Sequence, residues 1–470
     1  KQDKNSKSKF SDLKKQTEDK KRADARNAEE IKQRAVEEAK QRAAQEARQE
    51  AALAEQRRRA ESAREAQARR IAFERGLRLE TIENIENDDT DGEDLEVRRA
   101  AVNALGKHAG TIVVLEPQTG KVLTIVNQDW AIRKSFKPCS TIKLVTGVAG
   151  LNENMINADG NIRAQRSPLN LDDALAFSNN TYFQAVGRNL GNSKMIAYAR
   201  MLGLGQPTGI NADDETGGRL PFGNNNARIY SHGDDFEVTP LQLGVMVSTI
   251  SNGGRVIIPQ IPRNKYEKAN FRGAMRYQVN LPGNNLQGVI PGMIGAATYG
   301  TARRGVDSTL AVAGKTGSCI GNGSWVGLFA SVAPIEDPKY AVIVITRGQS
   351  ERGKYAAAIA GKIYQSLKSR LIGGGDTIAK IPLELRPQTK VNAKTSARLD
   401  ADEDEDSEDN DAVAIVPKEV IAPKPAPTTN LKKSELPAEA FPTIVVKVKK
   451  SDEPTRPRVV PSNPRVMSNK

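Results

Sequence analysis

The chain has 470 residues, a formal net charge of +13, and only 38% hydrophobic and 4% aromatic residues. So low an apolar share excludes a chain folded throughout, and part of it is expected to be extended or disordered. The basic residues are interleaved with acids and show no basic–aromatic stripe, so nucleic acid is not expected as a partner, whereas an anionic cell-wall or membrane surface stays open. No run of about 18 apolar residues exists, so nothing in this sequence is expected to span a bilayer. Because the chain opens on Lys1, a signal or membrane anchor is expected upstream of it. His108 and His232 are the only histidines and Cys139 and Cys319 the only cysteines. A histidine triad and a structural zinc site are therefore poorly supported, and neither metal nor cofactor is expected.

Residues 1–79 are dominated by Lys, Arg, Glu, Gln and Ala, strong helix formers. Large apolar residues are too sparse for a sustained heptad seam, which favours a solvated helical spacer over a coiled coil. Residues 80–94 read as an acidic linker. The character then changes, and 95–372 reads as one folded domain. Leu95 to Leu105 is an amphipathic helix, Thr111 to Leu115 and Lys121 to Val126 are strands, and Pro117 to Gly120 is the turn between them.

From Phe136 to Leu151 a proline starts an apolar helix, with Ser140 and Lys143 three residues apart on its first turn. That spacing brings hydroxyl and amine together, and a lysine of lowered pKa can activate a serine. Free N–H groups at such a helix start could hold an oxyanion. Asp172 to Leu190 is helical in pattern, with a break expected at Ser178, Asn179 and Asn180. Met195 to Leu202, Thr239 to Ile250 and the region Val289 to Ala297 are further helices. Trp325 to Val332 and Tyr340 to Thr346 are strands, and Lys354 to Leu371 is a closing helix. Strands at both ends with helices between imply an antiparallel sheet with helices on its faces, a mixed α/β (α+β) fold. Residues 373–470, rich in Pro, Lys and acids, are expected to be disordered, with a short candidate strand at Thr443 to Val448.

A lone S-x-x-K means little, since Ser6 to Lys9 matches it too. Three elements in one order mean more: Ser140–Lys143, Ser178–Asn180 and Lys315–Thr316–Gly317. The flanking stretches ALAFSNNTYF, ARMLGLGQPTGI, VTPLQLGVMVSTISNGGRVIIP and AVAGKTGS follow in the same order. Over residues 95 to 370 the chain resembles the transpeptidase domain of penicillin-binding proteins, of the monofunctional, class B-like kind. The competing P-loop reading of AVAGKT fails, because the required first glycine would fall on Thr309.

The resemblance implies a β-lactamase/transpeptidase-like fold with an all-helical subdomain. It also implies acyl transfer on peptidoglycan stem peptides ending in D-Ala-D-Ala, with β-lactams as covalent inhibitors. Ser140 would be the nucleophile and Lys143 its base. Ser178 would relay a proton, Asn180 would hold Lys143 and the substrate amide, and Lys315 with Thr316 would bind the terminal carboxylate. Gly317 would let substrate lie along the strand edge, and the N–H groups of Ser140 and Ser318 would form the oxyanion hole. The motifs must converge in this family, so Cys139 and Cys319 become neighbours, at offsets that carry a disulfide in some class A carbapenemases. A reduced pair is the alternative.

Three other functions share these motifs: a serine β-lactamase, a D,D-carboxypeptidase, and a non-enzymatic sensor or wall-binding scaffold. Class A β-lactamases place a glutamate in an E-x-x-L-N context after the second motif. Here Leu169 and Asn170 precede that motif, with Arg166 at the glutamate position and Glu215 in a transpeptidase-like segment. The implied location is extracytoplasmic, periplasmic or on the outer face of the cytoplasmic membrane, with residues 1–79 as a stalk.

Overall fold

The computed structural model describes residues 4–163, 167–223 and 226–372, with side chains from residue 13 onward. The predicted tail 373–470, its candidate strand at Thr443 to Val448, and Arg166 lie outside the described residues. The chain divides into two units between Arg75 and Gly76. Helix α1 (Lys4–Glu86) supplies the first, and every side chain from Leu13 to Glu65 is exposed there.

In the second unit the last turns of α1 change character. Leu77, Thr81 and Ile85, four residues apart, are buried and so form one inward stripe. The helix therefore continues to Glu86, through part of the stretch expected as an acidic linker. The remaining acids of that stretch are not all solvated either. Arg98 donates to Asp88 at 2.9 Å and to Glu93 at 3.0 Å, and also to the Ile125 and Ile85 carbonyls. Asp88 accepts the N–H groups of Asn127 and Gln128, while Glu93 accepts the Thr124 hydroxyl and the Ile125 N–H. A charge pattern that reads as linker is here a buried ion-pair network. It binds the end of α1 to the start of the folded domain.

Helix α2 (Leu95–Leu105) starts at Asp94, whose carboxylate accepts the N–H groups of Glu96 and Val97. Strands β1 (Ala109–Leu115) and β2 (Val122–Val126) follow as a hairpin, then one π-type turn, Asp129–Arg133. A 3₁₀ turn, Cys139–Ile142, runs into α3 (Lys143–Asn152). Next come α4 (Leu171–Ala176), α5 (Asn180–Leu190), α6 (Asn192–Met201) and α7 (Pro240–Ser251). Strand β3 (Arg255–Ile258), α8 (Lys265–Ala269) and β4 (Ala274–Gln278) form a small excursion before α9 (Ile290–Thr298). The chain closes with β5 (Ala313–Gly321), β6 (Ser324–Ala333), β7 (Tyr340–Gly348), α10 (Gly353–Ser366) and α11 (Lys368–Ile372).

The main sheet is antiparallel throughout, in the order β2-β1-β7-β6-β5. Helices α2 and α10 cover one face, where Val97, Ala101 and Leu105 meet Ile112, Val344, Ile363 and Tyr364 in one core. Helix α7 lies on the other face with all twelve residues buried. It can approach closely because Gly244 has no Cβ, which would stand 3.1 Å from Leu115 and 3.2 Å from Ile343. A capping box fixes its start: Thr239 Oγ1 accepts the Gln242 N–H, and the Thr239 N–H donates to Gln242 Oε1. Helices α3, α4, α5, α6 and α9 pack on one another as a helical group beside β5.

Two details depart from the sequence reading. The β3–β4 ladder was not expected, because β4 has no buried residue and shows no alternation. The closing helix expected as one piece is two, broken at Leu367.

The Arg98 network generates a test. Burial holds the Asp88 carboxyl up at about 6, against the pull of Arg98. The folded chain thus keeps an extra proton between about pH 4 and 6, and this group's contribution to stability falls as pH rises through that window. Arg98→Met leaves two buried carboxylates unpaired and is expected to cost roughly 3–5 kcal/mol at pH 7. The cost should be smaller at pH 5, where the Asp88 carboxyl can protonate, and urea unfolding at the two pH values measures it.

Candidate active site

The site forms where three loops or element ends meet the edge of the main sheet. Pro138 precedes the 3₁₀ turn as its cap, one position outside the helical start expected from sequence. Cys139 takes a left-handed backbone, φ +48°, and the Pro138 carbonyl accepts both the N–H and the hydroxyl of Thr141. In a 3₁₀ turn side chains three apart are eclipsed, so Ser140 stands directly over Lys143. The second motif lies at the junction of α4 and α5. Ser178 there has φ +59°, Asn179 caps α5 through the Tyr182 N–H, and Asn180 is the first residue of the helix. The helix break expected at 178–180 falls at that point.

Lys143 is completely buried. Its Nζ lies 2.8 Å from Ser140 Oγ, 3.0 Å from Ser178 Oγ, 2.5 Å from the Ser178 carbonyl and 2.6 Å from Asn180 Oδ1. A neutral amine has two N–H donors and one lone pair. Given to the Ser178 carbonyl and Asn180 Oδ1, the two donors leave the lone pair for the Ser140 hydroxyl proton. Lys315, also completely buried, donates to Ser178 Oγ at 2.9 Å and to the Thr316 carbonyl at 2.9 Å. Ser178 therefore sits between two amines.

The third motif lies on β5, the outermost strand of the main sheet. Cys139 and Cys319 are bridged by a disulfide with a Cα–Cα distance of 5.6 Å, so the cross-link joins the residue before Ser140 to the residue after Ser318. Gly317 has the Ser140 turn as a close neighbour. A Cβ there would stand 3.2 Å from Cys139 Cβ and 3.4 Å from the Pro138 oxygen and the Ser140 nitrogen. The space it leaves is filled by the turn that carries Ser140, so Gly317 serves the close approach of that turn.

The structure thus brings Ser140, Lys143, Ser178, Asn180 and Lys315 into one hydrogen-bonded set, with Thr316, Gly317 and Ser318 alongside. It places Glu215 elsewhere in function: its carboxylate accepts the Thr208 hydroxyl and the N–H groups of Thr208 and Gly209. Two supports escaped the sequence reading. Thr301 Oγ1 lies 2.6 Å from Thr316 Oγ1, while its N–H donates to the Ala176 carbonyl, linking the second and third motifs. The Gly353 N–H at the start of α10 donates to Ser318 Oγ at 2.9 Å and fixes that strand from behind. Neither lies in a residue pattern that signals chemistry. Among the described residues no helix is long and apolar enough to cross a membrane.

The family model of the penicillin binding protein transpeptidase domain matches residues 110–365. Peptidoglycan D,D-transpeptidase MrdA of Haemophilus influenzae is 24% identical over 370 residues, which covers 57% of this chain and 54% of the relative. Peptidoglycan D,D-transpeptidase FtsI of Escherichia coli is 22% identical over 305 residues, covering 55% and 50%. The chain spans about half the length of the curated relatives it matches. Among solved structures, Pseudomonas aeruginosa PBP2 aligns with a TM-score of 0.51 at 22% identity, covering 59% of this chain and 74% of that one. The transpeptidase domain of Burkholderia pseudomallei penicillin-binding protein 3 aligns at 0.52 and 18% identity, covering 60% and 96%. These likenesses establish a shared fold.

The disulfide carries its own test. Protein denatured without reductant is expected to titrate no free thiol, and two after reduction. Closing so long a loop stabilises by at most about 5 kcal/mol on the chain-entropy model, so reduction should lower the urea midpoint.

Proposed function

Because the chain belongs to the penicillin-binding protein transpeptidase family, we propose that it is a serine D,D-transpeptidase cross-linking peptidoglycan stem peptides. The observation that carries this reading is the double lysine arrangement. Lys143 Nζ reaches Ser140, Ser178 and Asn180 together, and Lys315 Nζ shares Ser178 Oγ with it.

In the first half-reaction Ser140 Oγ attacks the carbonyl of the penultimate D-alanine while its proton passes to neutral Lys143. The tetrahedral oxyanion lies against the N–H groups of Ser140 and Ser318. Ser178 gives its hydroxyl proton to the leaving D-alanine nitrogen and is reprotonated from Lys143, so one proton leaves with the product for the one taken from Ser140 and Lys143 is neutral again. Asn180 holds Lys143 and the substrate amide. Lys315 lends positive charge to the donor's terminal carboxylate, with the Thr316 hydroxyl beside it. In the second half-reaction an acceptor amine attacks the Ser140 ester, its proton returns along the same path, and Ser140 is released.

Glu215, spent on the turn at Thr208 and Gly209, gives no support to a β-lactamase-like water activation. A peptidoglycan substrate would call for an extracytoplasmic location, and the solvated residues of α1 up to Arg75 suit a stalk below a membrane anchor.

Incubation with benzylpenicillin should add one intact penicilloyl mass, retained for many minutes, and Ser140→Ala should abolish it. Lys143→Met should slow acylation by roughly 10²- to 10⁴-fold, the usual scale for a lost general base, as read by intact mass spectrometry. Rapid loss of the adduct in the wild type would instead favour hydrolysis.

A further inference from the structure

The excursion between β3 and α9 carries charge that the fold leaves unbalanced. Residues 263–276 hold five basic side chains and one acid. Arg263 pairs with Asp89, and Arg276 donates to the Pro207 carbonyl at 2.8 Å. Lys265, Lys268 and Arg272 are exposed, and no carboxylate among the described residues lies within ion-pair distance of them. The one acid is already engaged, since Glu267 accepts the Arg263 N–H and the Asn264 side-chain amide, each at 2.6 Å. Lys265 and Lys268 stand three apart on α8 and so share a face. Tyr266 and Met275 add exposed apolar surface to the same stretch.

A cationic surface with apolar side chains is complementary to an acidic peptide, and the chain carries one. Residues 400–411 hold nine acids and no basic residue, and blocks of like charge of that length often serve as interaction segments. The basic residues of α1 offer a poorer match, because acids alternate with them along that helix, as in the pair Arg59–Glu55.

Reach is also satisfied. Helix α11 ends at Ile372, and two residues earlier Arg370 pairs with Asp94 at 2.6 Å and with Glu96. The root of the excursion is tied to the same stretch. Arg263 pairs with Asp89, and a Cβ on Gly92 would stand 2.4 Å from the Pro262 carbonyl oxygen. The end of α11 and the basic excursion are thus both fastened to residues 89–96, a stretch no longer than about 25 Å. Asp400 is 28 residues beyond Ile372, and that length can span up to about 100 Å.

We propose that residues 400–411 dock on this excursion within the same molecule, their carboxylates meeting Lys265, Lys268 and Arg272. A tethered anion is held at high effective concentration, so it outcompetes an outside anion of similar charge. The excursion joins the main sheet on its β2 side, where the Val122 N–H donates to the Gln260 carbonyl at 2.8 Å. Strand β5, with the third motif, is the opposite edge, so the docked segment leaves the Ser140 side of the domain open.

The test is carbodiimide coupling of the full chain, which joins an amine to a carboxylate in contact with it, followed by proteolysis and mass spectrometry. Lys134 and Glu80, 2.6 Å apart, are the internal reference. At low salt Lys265 or Lys268 should couple to the peptide carrying residues 400–411. That product should be mostly lost at about 1 M salt, where the screening length falls to about 3 Å, while the reference persists. Arg272→Glu keeps both lysines and should lower their coupling about threefold against the reference, the scale of one surface charge pair. Mixing ordinary with isotope-labelled protein should give unmixed pairs alone. Mixed pairs put the segment on a second copy and overturn the proposal. Coupling spread evenly over the lysines of α1 also overturns it, as does none at Lys265 and Lys268 when the reference forms. Coupling unchanged by salt or by Arg272→Glu removes its electrostatic basis and overturns it likewise.

Discussion

A lysine amine taken out of water has to be met by oxygen atoms, and the arrangement around Lys143 follows from that constraint. Its Nζ meets oxygens of Ser140, Ser178 and Asn180, which come from the start of α3 and from the α4–α5 junction. An unsatisfied buried amine would cost several kcal/mol, so the packing of those segments and the solvation of the amine are one problem. The atoms that make its burial tolerable are the ones the proposed proton path visits. Stability and chemistry therefore select the same distances here.

Arg98 solves a related problem in another way. It is met by two carboxylates, Asp88 and Glu93, and by two backbone carbonyls, so its charge is balanced and held in place. The site lysines hydrogen-bond to serine, asparagine and backbone oxygens, partners that accept a neutral amine as readily as a charged one. One network fixes a junction between elements, while the other joins the three motifs through uncharged partners.

The sequence made the chemistry legible because three short motifs each carry side chains whose role follows from type and spacing. Ser140 and Lys143 could be placed on one turn, and the run Ser178 to Asn180 showed itself as a break between apolar residues. The helix α2 and the helix α7 with its glycine-rich end were also clear, since periodicity and caps are local signals. The acidic stretch 80–94 misled for the opposite reason. Whether Asp88 and Glu93 face water or Arg98 depends on a partner ten or five residues on, and charge alone does not reveal it. Thr301 and Gly353 were invisible because they act through hydrogen bonds to strand β5 from distant parts of the chain. The added role of Gly317 was hidden likewise, since a glycine in a strand does not say which neighbour it makes room for.

Strand β5 ends the sheet, and the proposed acyl transfer would need it to. A substrate can add itself to an edge only if no strand already occupies it, yet a free edge is also the surface on which protein chains aggregate. Here the edge is nine residues long, carries Lys315 and several glycines, and is tied by the Cys139–Cys319 cross-link to a turn beside it. The cross-link next to Ser140 thus also encumbers an edge of the kind on which other strands can add.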